Sequence, residues 1–173
     1  MNTYYTIEGK YLKAVEKLDY GRNSKALQLF KEILENEPLH ARTHFQLGKI
    51  YYYEMNDYQT AGFHFKTCLE LEPSFPDNYF DYLHLAVFLN MKKMVTALAE
   101  QALNTRGVDA ADIYDLLGLF FEKNKNWTKA LDAYQNAFIE VTDKRQRSDI
   151  EESLDRLKAK MQNSQSYQYH LTE

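Results

Sequence analysis

Apolar and small residues recur along this chain at helical spacing, in blocks broken by short polar stretches. Phe45, Gly48, Tyr51 and Tyr52 form one such block, and Asn56-Asp57 interrupts it. Ala61, Phe65, Cys68 and Leu69 resume the spacing until Glu72-Pro73 closes it. The pattern returns as Tyr114, Leu117, Gly118 and Phe121, a polar break at Lys123-Asn124-Lys125-Asn126, and then Trp127, Ala130, Tyr134 and Ala137. Spacing of this kind predicts amphipathic helices joined in pairs by tight turns.

The pairs themselves repeat. Ala26, Ala61, Val95 and Ala130 are separated by 35, 34 and 35 residues. Phe30, Phe65, Ala99 and Tyr134 keep that period, as do Ile33, Cys68, Ala102 and Ala137. Leu47-Gly48, Tyr82-Leu83 and Leu117-Gly118 step by 35 twice, and Pro38 and Pro73 are also 35 apart. Independent columns sharing one period define a repeat protein built from helix–turn–helix units. Gly48 and Gly118 fall mid-helix, where glycine costs about 1 kcal/mol against alanine. The expected reason is close backbone approach, with a large aromatic of the second helix beside the gap.

These columns resemble the tetratricopeptide repeat. The fourth unit carries its motif as Tyr114, Leu117-Gly118, Phe121, Trp127, Ala130, Tyr134 and Ala137, without the closing proline. The second carries Leu47-Gly48, Tyr51, Tyr58, Ala61, Phe65, Cys68 and Pro73, with one extra residue near its turn. The first keeps Ala26, Phe30, Ile33 and Pro38 but lacks the Leu-Gly pair, and the third has Leu83 in place of glycine. The resemblance covers residues 6–142 and implies an all-α, right-handed superhelical α-solenoid of antiparallel helix pairs. The units are expected at 6–38, 41–73, 77–107 and 111–142 within a single array spanning residues 1–162.

Downstream, Ile150, Leu154, Leu157 and Met161 advance by four, three and four among mostly charged neighbours. One narrow apolar stripe suits a helix that covers the last open face of an array. A capping helix is therefore expected over 143–162, with a polar, mobile tail over 163–173. A partner-binding amphipathic helix is the alternative for this segment.

Composition narrows the function classes. The 173 residues include 14 Tyr, 10 Phe and 1 Trp, and most of these rings fall in the repeating columns. A net charge of −4 supplies no general attraction to nucleic acid or anionic membrane. A single cysteine, Cys68, excludes an internal disulfide framework, and its place in a small-residue column predicts an inert buried thiol. The first residues show no basic start followed by an apolar core, and no window approaches the roughly 18 apolar residues of a membrane span. A cytoplasmic protein is expected.

No phosphate-binding glycine loop, nucleophile elbow or metalloprotease motif is present, so a non-enzymatic protein without cofactor or metal is expected. His40 and His44 lie about one helical turn apart, but stable zinc sites need three or four protein ligands. His40 is expected to face solvent and His44 to join the packing. Asp109 reads as a helix N-cap with Asp112 in the favourable first turn.

What remains is a binding surface. The family's spacing implies a concave groove lined by first helices, placing there Arg42, Phe45, Lys49, Tyr52 and Tyr53, then Asp77, Phe80, Asp81 and His84, then Asp112, Asp115 and Glu122. Such a groove would hold a peptide or helix of another protein. Family members that clamp acidic C-termini use Lys, Asn and Arg side chains, and Asp77 and Asp81 would repel a carboxylate here. Self-association into a homo-oligomer, through exposed aromatics or the Tyr167 and Tyr169 tail, is one alternative. A small-molecule or metal-binding regulator using His84 or the His40/His44 pair is another.

Overall fold

The computed structural model describes residues 6–169, and helix is the only regular secondary structure among them. In chain order the helices are α1 (Ile7–Asp19), α2 (Asn23–Asn36), α3 (Ala41–Lys49), α4 (Tyr58–Leu71), α5 (Asp77–Phe88), α6 (Lys92–Leu103), α7 (Ala110–Lys123), α8 (Trp127–Glu140) and α9 (Lys144–Tyr169). A π-helical turn, Ile50–Glu54, prolongs α3. The chain divides into two compact units, Met1–Leu85 and Ala86–Glu173, with the division inside α5.

Polar side chains start several of the helices, because the first N–H groups of a helix lack partners within it. Thr6 accepts from the Gly9 N–H at 3.0 Å, Asp57 from Thr60 at 3.1 Å, and Asn126 from Lys129 at 3.3 Å. Asp109 caps α7 by accepting from Ala111 at 2.9 Å. His40 caps α3 through Nδ1, accepting from the Thr43 N–H at 3.2 Å, and its ring lies 5.3 Å from that of Tyr11. His40 is thus half-buried and employed locally rather than facing solvent.

The four turns that follow α1, α3, α5 and α7 share one backbone device. Gly21, Asn56, Asn90 and Lys125, spaced by 35, 34 and 35 residues, all have positive φ, at 67°, 54°, 54° and 57°. In three of these turns the next N–H reaches the carbonyl five residues back: Arg22 to Lys17, Met91 to Ala86, and Asn126 to Phe121. That bond satisfies a carbonyl left over at the helix end. Glycine adopts this conformation freely and asparagine tolerates it, whereas the Cβ of lysine crowds the backbone carbonyl. Lys125 is exposed, so Lys125→Gly should stabilise the protein by about 0.5–1 kcal/mol, read as a raised urea midpoint with unchanged slope.

The second hairpin differs by one residue. Leu47 to Ala61 is 14 positions, whereas Leu117 to Ala130 is 13. The π turn absorbs the insertion: Met55 N–H bonds back to the Ile50 carbonyl at 3.2 Å, and Asp57 reaches six residues back to Tyr51 at 2.9 Å. The columns on either side stay in register. Ala26, Ala61, Val95 and Ala130 are all fully buried, as are Phe30, Phe65, Ile33, Cys68, Ala102 and Ala137.

Both helix-interior glycines sit against an aromatic ring. A Cβ on Gly48 would lie 2.6 Å from Cδ1 of Phe65, and one on Gly118 would run into the ring of Tyr134. No side chain fits between these paired helices, so the helical cost of glycine is offset by ring packing against bare backbone.

In the second unit α9 closes the array. Ile150 and Leu157 are buried, and Leu154 and Met161 pack beside them against Ala130, Tyr134, Ala137 and their neighbours. Gln146 Nε2 donates to Asp112 Oδ1 at 2.6 Å, and Arg156 donates to Glu122. Both pairs are 34 residues apart, so α9 stands one repeat beyond α7. The helix runs to Tyr169, where an end at Gln162 was expected, so 163–169 continue it as backbone; 170–173 lie outside the described residues.

Candidate functional site

The expected groove residues separate by depth. In the first unit Phe45, Tyr52 and Asp81 are buried, whereas Arg42, Tyr53, Asp77 and Phe80 are exposed and Lys49 and His84 are half-buried. Phe45, Tyr52 and Asp81 are thus corrected from open contact residues to supporting ones. Phe45 turns inward to pack edge-on against Phe75, with ring centres 5.1 Å apart. Tyr52 follows Phe45 by seven residues and so shares its inward face, and Glu122, 70 positions later in α7, is buried to the same degree.

The π turn and α5 are bound together by two phenol hydrogen bonds. Tyr53 donates its hydroxyl to Asp81 Oδ1 at 2.6 Å, and Tyr52 Oη lies 2.6 Å from His84 Nδ1. The rings form one cluster: Tyr52 and Tyr53 are 4.5 Å apart, Tyr52 and His84 5.6 Å, and Phe80 stacks on His84 at 6.1 Å. Tyr53 remains 46 % exposed and Phe80 37 %, so the cluster shows two ring surfaces while its polar atoms point inward. Lys49 Nζ and Arg42 add cation–π contacts, Lys49 at 5.4 Å from the Phe45 ring centre and Arg42 at 5.9 Å from that of Phe75.

Burial sets the charge states. It pushes the Tyr52 phenol up to about 12, with Tyr58 and Asp81 adding to the effect. Burial also raises Tyr53, as does the hydrogen bond to Asp81. The Asp81 carboxyl is raised by burial, against the opposing influence of Tyr53, Lys49 and His84. Both phenols are therefore neutral near pH 7, and Tyr53 donates to the Asp81 carboxylate.

Asp112 and Asp115 belong to the second unit and do not form an open acidic surface. Asp112 accepts the Gln146 amide of α9. Asp115 is half-buried, with its carboxyl raised first by burial and then by Asp112. The cap helix of the chain itself occupies the side of α7 that the sequence assigns to a ligand.

Two polar clusters have members that sequence reading does not bring together, although Glu122 is expected in the groove and His44 in the packing. Glu122, 6 % exposed, accepts from Tyr134 at 2.8 Å, from Arg156 at 3.0 and 3.1 Å, and from Lys160 at 2.8 Å. An acid among Phe120, Phe121 and Leu119, one repeat before an arginine, is the signal that could have exposed it. The second cluster is His44 and His64, whose Nδ1 atoms are 2.9 Å apart. Nε2 of His44 lies 2.9 Å from the Pro38 carbonyl, so it carries a proton and His44 Nδ1 accepts from His64. With its ring nitrogens so used, His44 is not half of a two-histidine metal arm with His40. Among the described residues, no three His, Cys, Asp or Glu side chains are grouped to hold a metal ion. Burial raises the Cys68 thiol to about 12, leaving it unreactive.

Neither family models nor the sequences of characterised proteins give a match. Solved structures do match, over 77–96 % of the chain, and they define an all-α, tetratricopeptide-like helical-repeat fold. MamA from Desulfovibrio magneticus RS-1 superposes with a TM-score of 0.77 at 20 % identity, covering 96 % of this chain and 91 % of that one. Human IFIT1, solved as a dimer with PPP-AAAA, gives 0.76 at 21 % identity over 93 % of this chain and 41 % of its own. PilW, a widely conserved type IV pilus biogenesis factor, gives 0.67 at 17 % identity over 77 % and 61 %. At such identities the likeness establishes the fold. No helix among the described residues is long and apolar enough to cross a membrane.

Proposed function

We propose that this chain is a non-enzymatic protein-binding module, which holds a peptide or helix of a partner against the α3–α5 face of its first unit. The observation that carries the reading is the locked aromatic cluster. Tyr53 and Phe80 expose ring surface, while the Tyr53–Asp81 and Tyr52–His84 hydrogen bonds fix the element beneath. Rings already held in place lose little entropy when a partner covers them, which is what makes aromatic side chains good anchors. Arg42 and Asp77 are exposed at the edge of this face and set orientation more than affinity. The setting is taken as the cytoplasm.

The reading does not extend to nucleic acid. PPP-AAAA is the ligand in the IFIT1 structure. A phosphate chain approaching this face would meet Asp77 on a chain of net charge −4.

Affinity capture with the full chain, quantified by mass spectrometry, provides the test. Tyr53→Ala and Phe80→Ala should each lower recovery of the principal bound protein at least about fivefold, as for an anchor worth more than about 1 kcal/mol. Ile139→Ala, which trims an exposed residue of α8 in the second unit, should leave recovery unchanged. Full recovery with both aromatic variants, at wild-type helicity, would show that this face is not the binding surface.

A further inference from the structure

Beside the aromatic cluster the first unit has a cleft between α1 and the end of α3, with a volume of about 300 Å³. Its apolar wall is Val15 and Leu18 of α1 and the buried Ile50. Its rim carries two carboxylates from opposite sides, Asp19 at the end of α1 and Glu54 at the end of the π turn. The exposed Tyr53 ring also borders it.

The charge pairing in this cleft is incomplete. Among the described residues, neither Asp19 nor Glu54 forms a salt bridge with a cation of the chain. Glu54 accepts only a neutral amide hydrogen, from Asn23 Nδ2 at 2.8 Å. Lys49 lines the same cleft, but its ammonium lies over the Phe45 ring. Two carboxylates against one ammonium leave the rim net negative.

Resting on the protein-binding reading above, we infer that this cleft takes one basic side chain, arginine or lysine, of the bound partner segment. The aliphatic stem would lie along Val15, Leu18 and Ile50, as long basic side chains do on apolar surface. The charged head would meet Asp19 and Glu54 and could rest on the Tyr53 face. The π turn matters because it carries Tyr53 and Glu54 together: one inserted residue positions both an anchor ring and a rim acid. The chemistry is opposite to that of a clamp for acidic C-termini.

The test uses the full chain and three fluorescein-labelled nonapeptides, Gly-Ser-Ala-Leu-X-Leu-Ala-Ser-Gly, with X as arginine, citrulline or glutamate. Citrulline keeps the shape and removes the charge. Fluorescence anisotropy in low salt should show the arginine peptide binding about tenfold more tightly than the other two. Asp19→Asn combined with Glu54→Gln should abolish that preference without changing the circular dichroism. Equal binding of all three peptides overturns the basic-side-chain site and leaves the aromatic protein-binding face standing. Preference for arginine that survives the double substitution also overturns it, because the charge would then be read elsewhere. Absence of any peptide binding overturns it too, and the capture experiment with Tyr53→Ala and Phe80→Ala then decides the broader reading separately.

Discussion

Glu122→Ala is expected to lower the stability of the second unit by about 3 kcal/mol at pH 7, because it strands the partners of a buried carboxylate. The Tyr134 hydroxyl, itself almost fully buried, loses its acceptor, and Arg156 and Lys160 lose the anion that fastens α9 to α7. The two cations are nearly half exposed and recover some hydration, which holds the effect at the lower end for a broken buried pair. Trp127 packs in the same cluster as Leu157 of α9, and it is the only tryptophan, so its fluorescence during urea unfolding reports on this unit. A loss below about 0.5 kcal/mol, the range of ordinary surface substitutions, would show that the cluster does not hold the cap.

The same carboxylate gives an acid signature. Burial by itself would raise its pKa, but the hydrogen bonds from Arg156, Lys160 and Tyr134 outweigh burial and hold it at about 2. A carboxylate depressed in the fold contributes stability above its unfolded pKa and loses it as pH falls toward the folded value. The window is therefore from about 4.5 down to about 2, and the full contribution is about 3 kcal/mol. Glu122→Gln should remove that window while keeping the shape.

The first unit should weaken earlier on acidification, through His64. Burial, then the neighbouring His44 and Lys31, depress its pKa to about 4 from 6.5. Between those values the unfolded chain takes up a proton that the folded ring refuses, so stability falls as pH drops from 6.5 to 4 and levels off below. The expected loss is about 3 kcal/mol, the equivalent of that separation in pKa. Asp81, raised by burial, acts in the opposite sense, since it gains its proton in the fold first. His64→Asn can still donate an N–H toward His44 Nδ1 but has no charge to acquire. Its stability should no longer fall from pH 6.5 to 4, measured by urea unfolding with far-ultraviolet circular dichroism. A slope equal to that of the native chain would remove His64 as the cause.

How much of this was legible beforehand differs by residue. Ala26, Phe30, Gly48, Cys68 and Gly118 announced their places because each belongs to a column with a fixed period, and burial follows period. Asp109 as a cap and the Ile150–Met161 stripe as a covering face were legible for the same local reason. Tyr52 and Phe45 were legible as one helix face but not as buried supports, because that depends on Phe65, Phe75 and His84 packing against them across the fold. Asp112 was assigned to open groove from its own helix alone, yet Gln146, 34 residues later, covers it.

The sequence by itself determined a helical repeat, its period, its tight turns and the one-sided helix that ends it. Those features rest on hydrophobic spacing and backbone preference, which are written into consecutive residues. Tertiary structure alone decided which aromatic rings stay exposed, that Glu122 gathers three donors, and that His44 and His64 are hydrogen-bonded. Each depends on atoms brought within 3 Å from positions 12 to 38 residues apart, where burial and neighbouring charge set the chemistry.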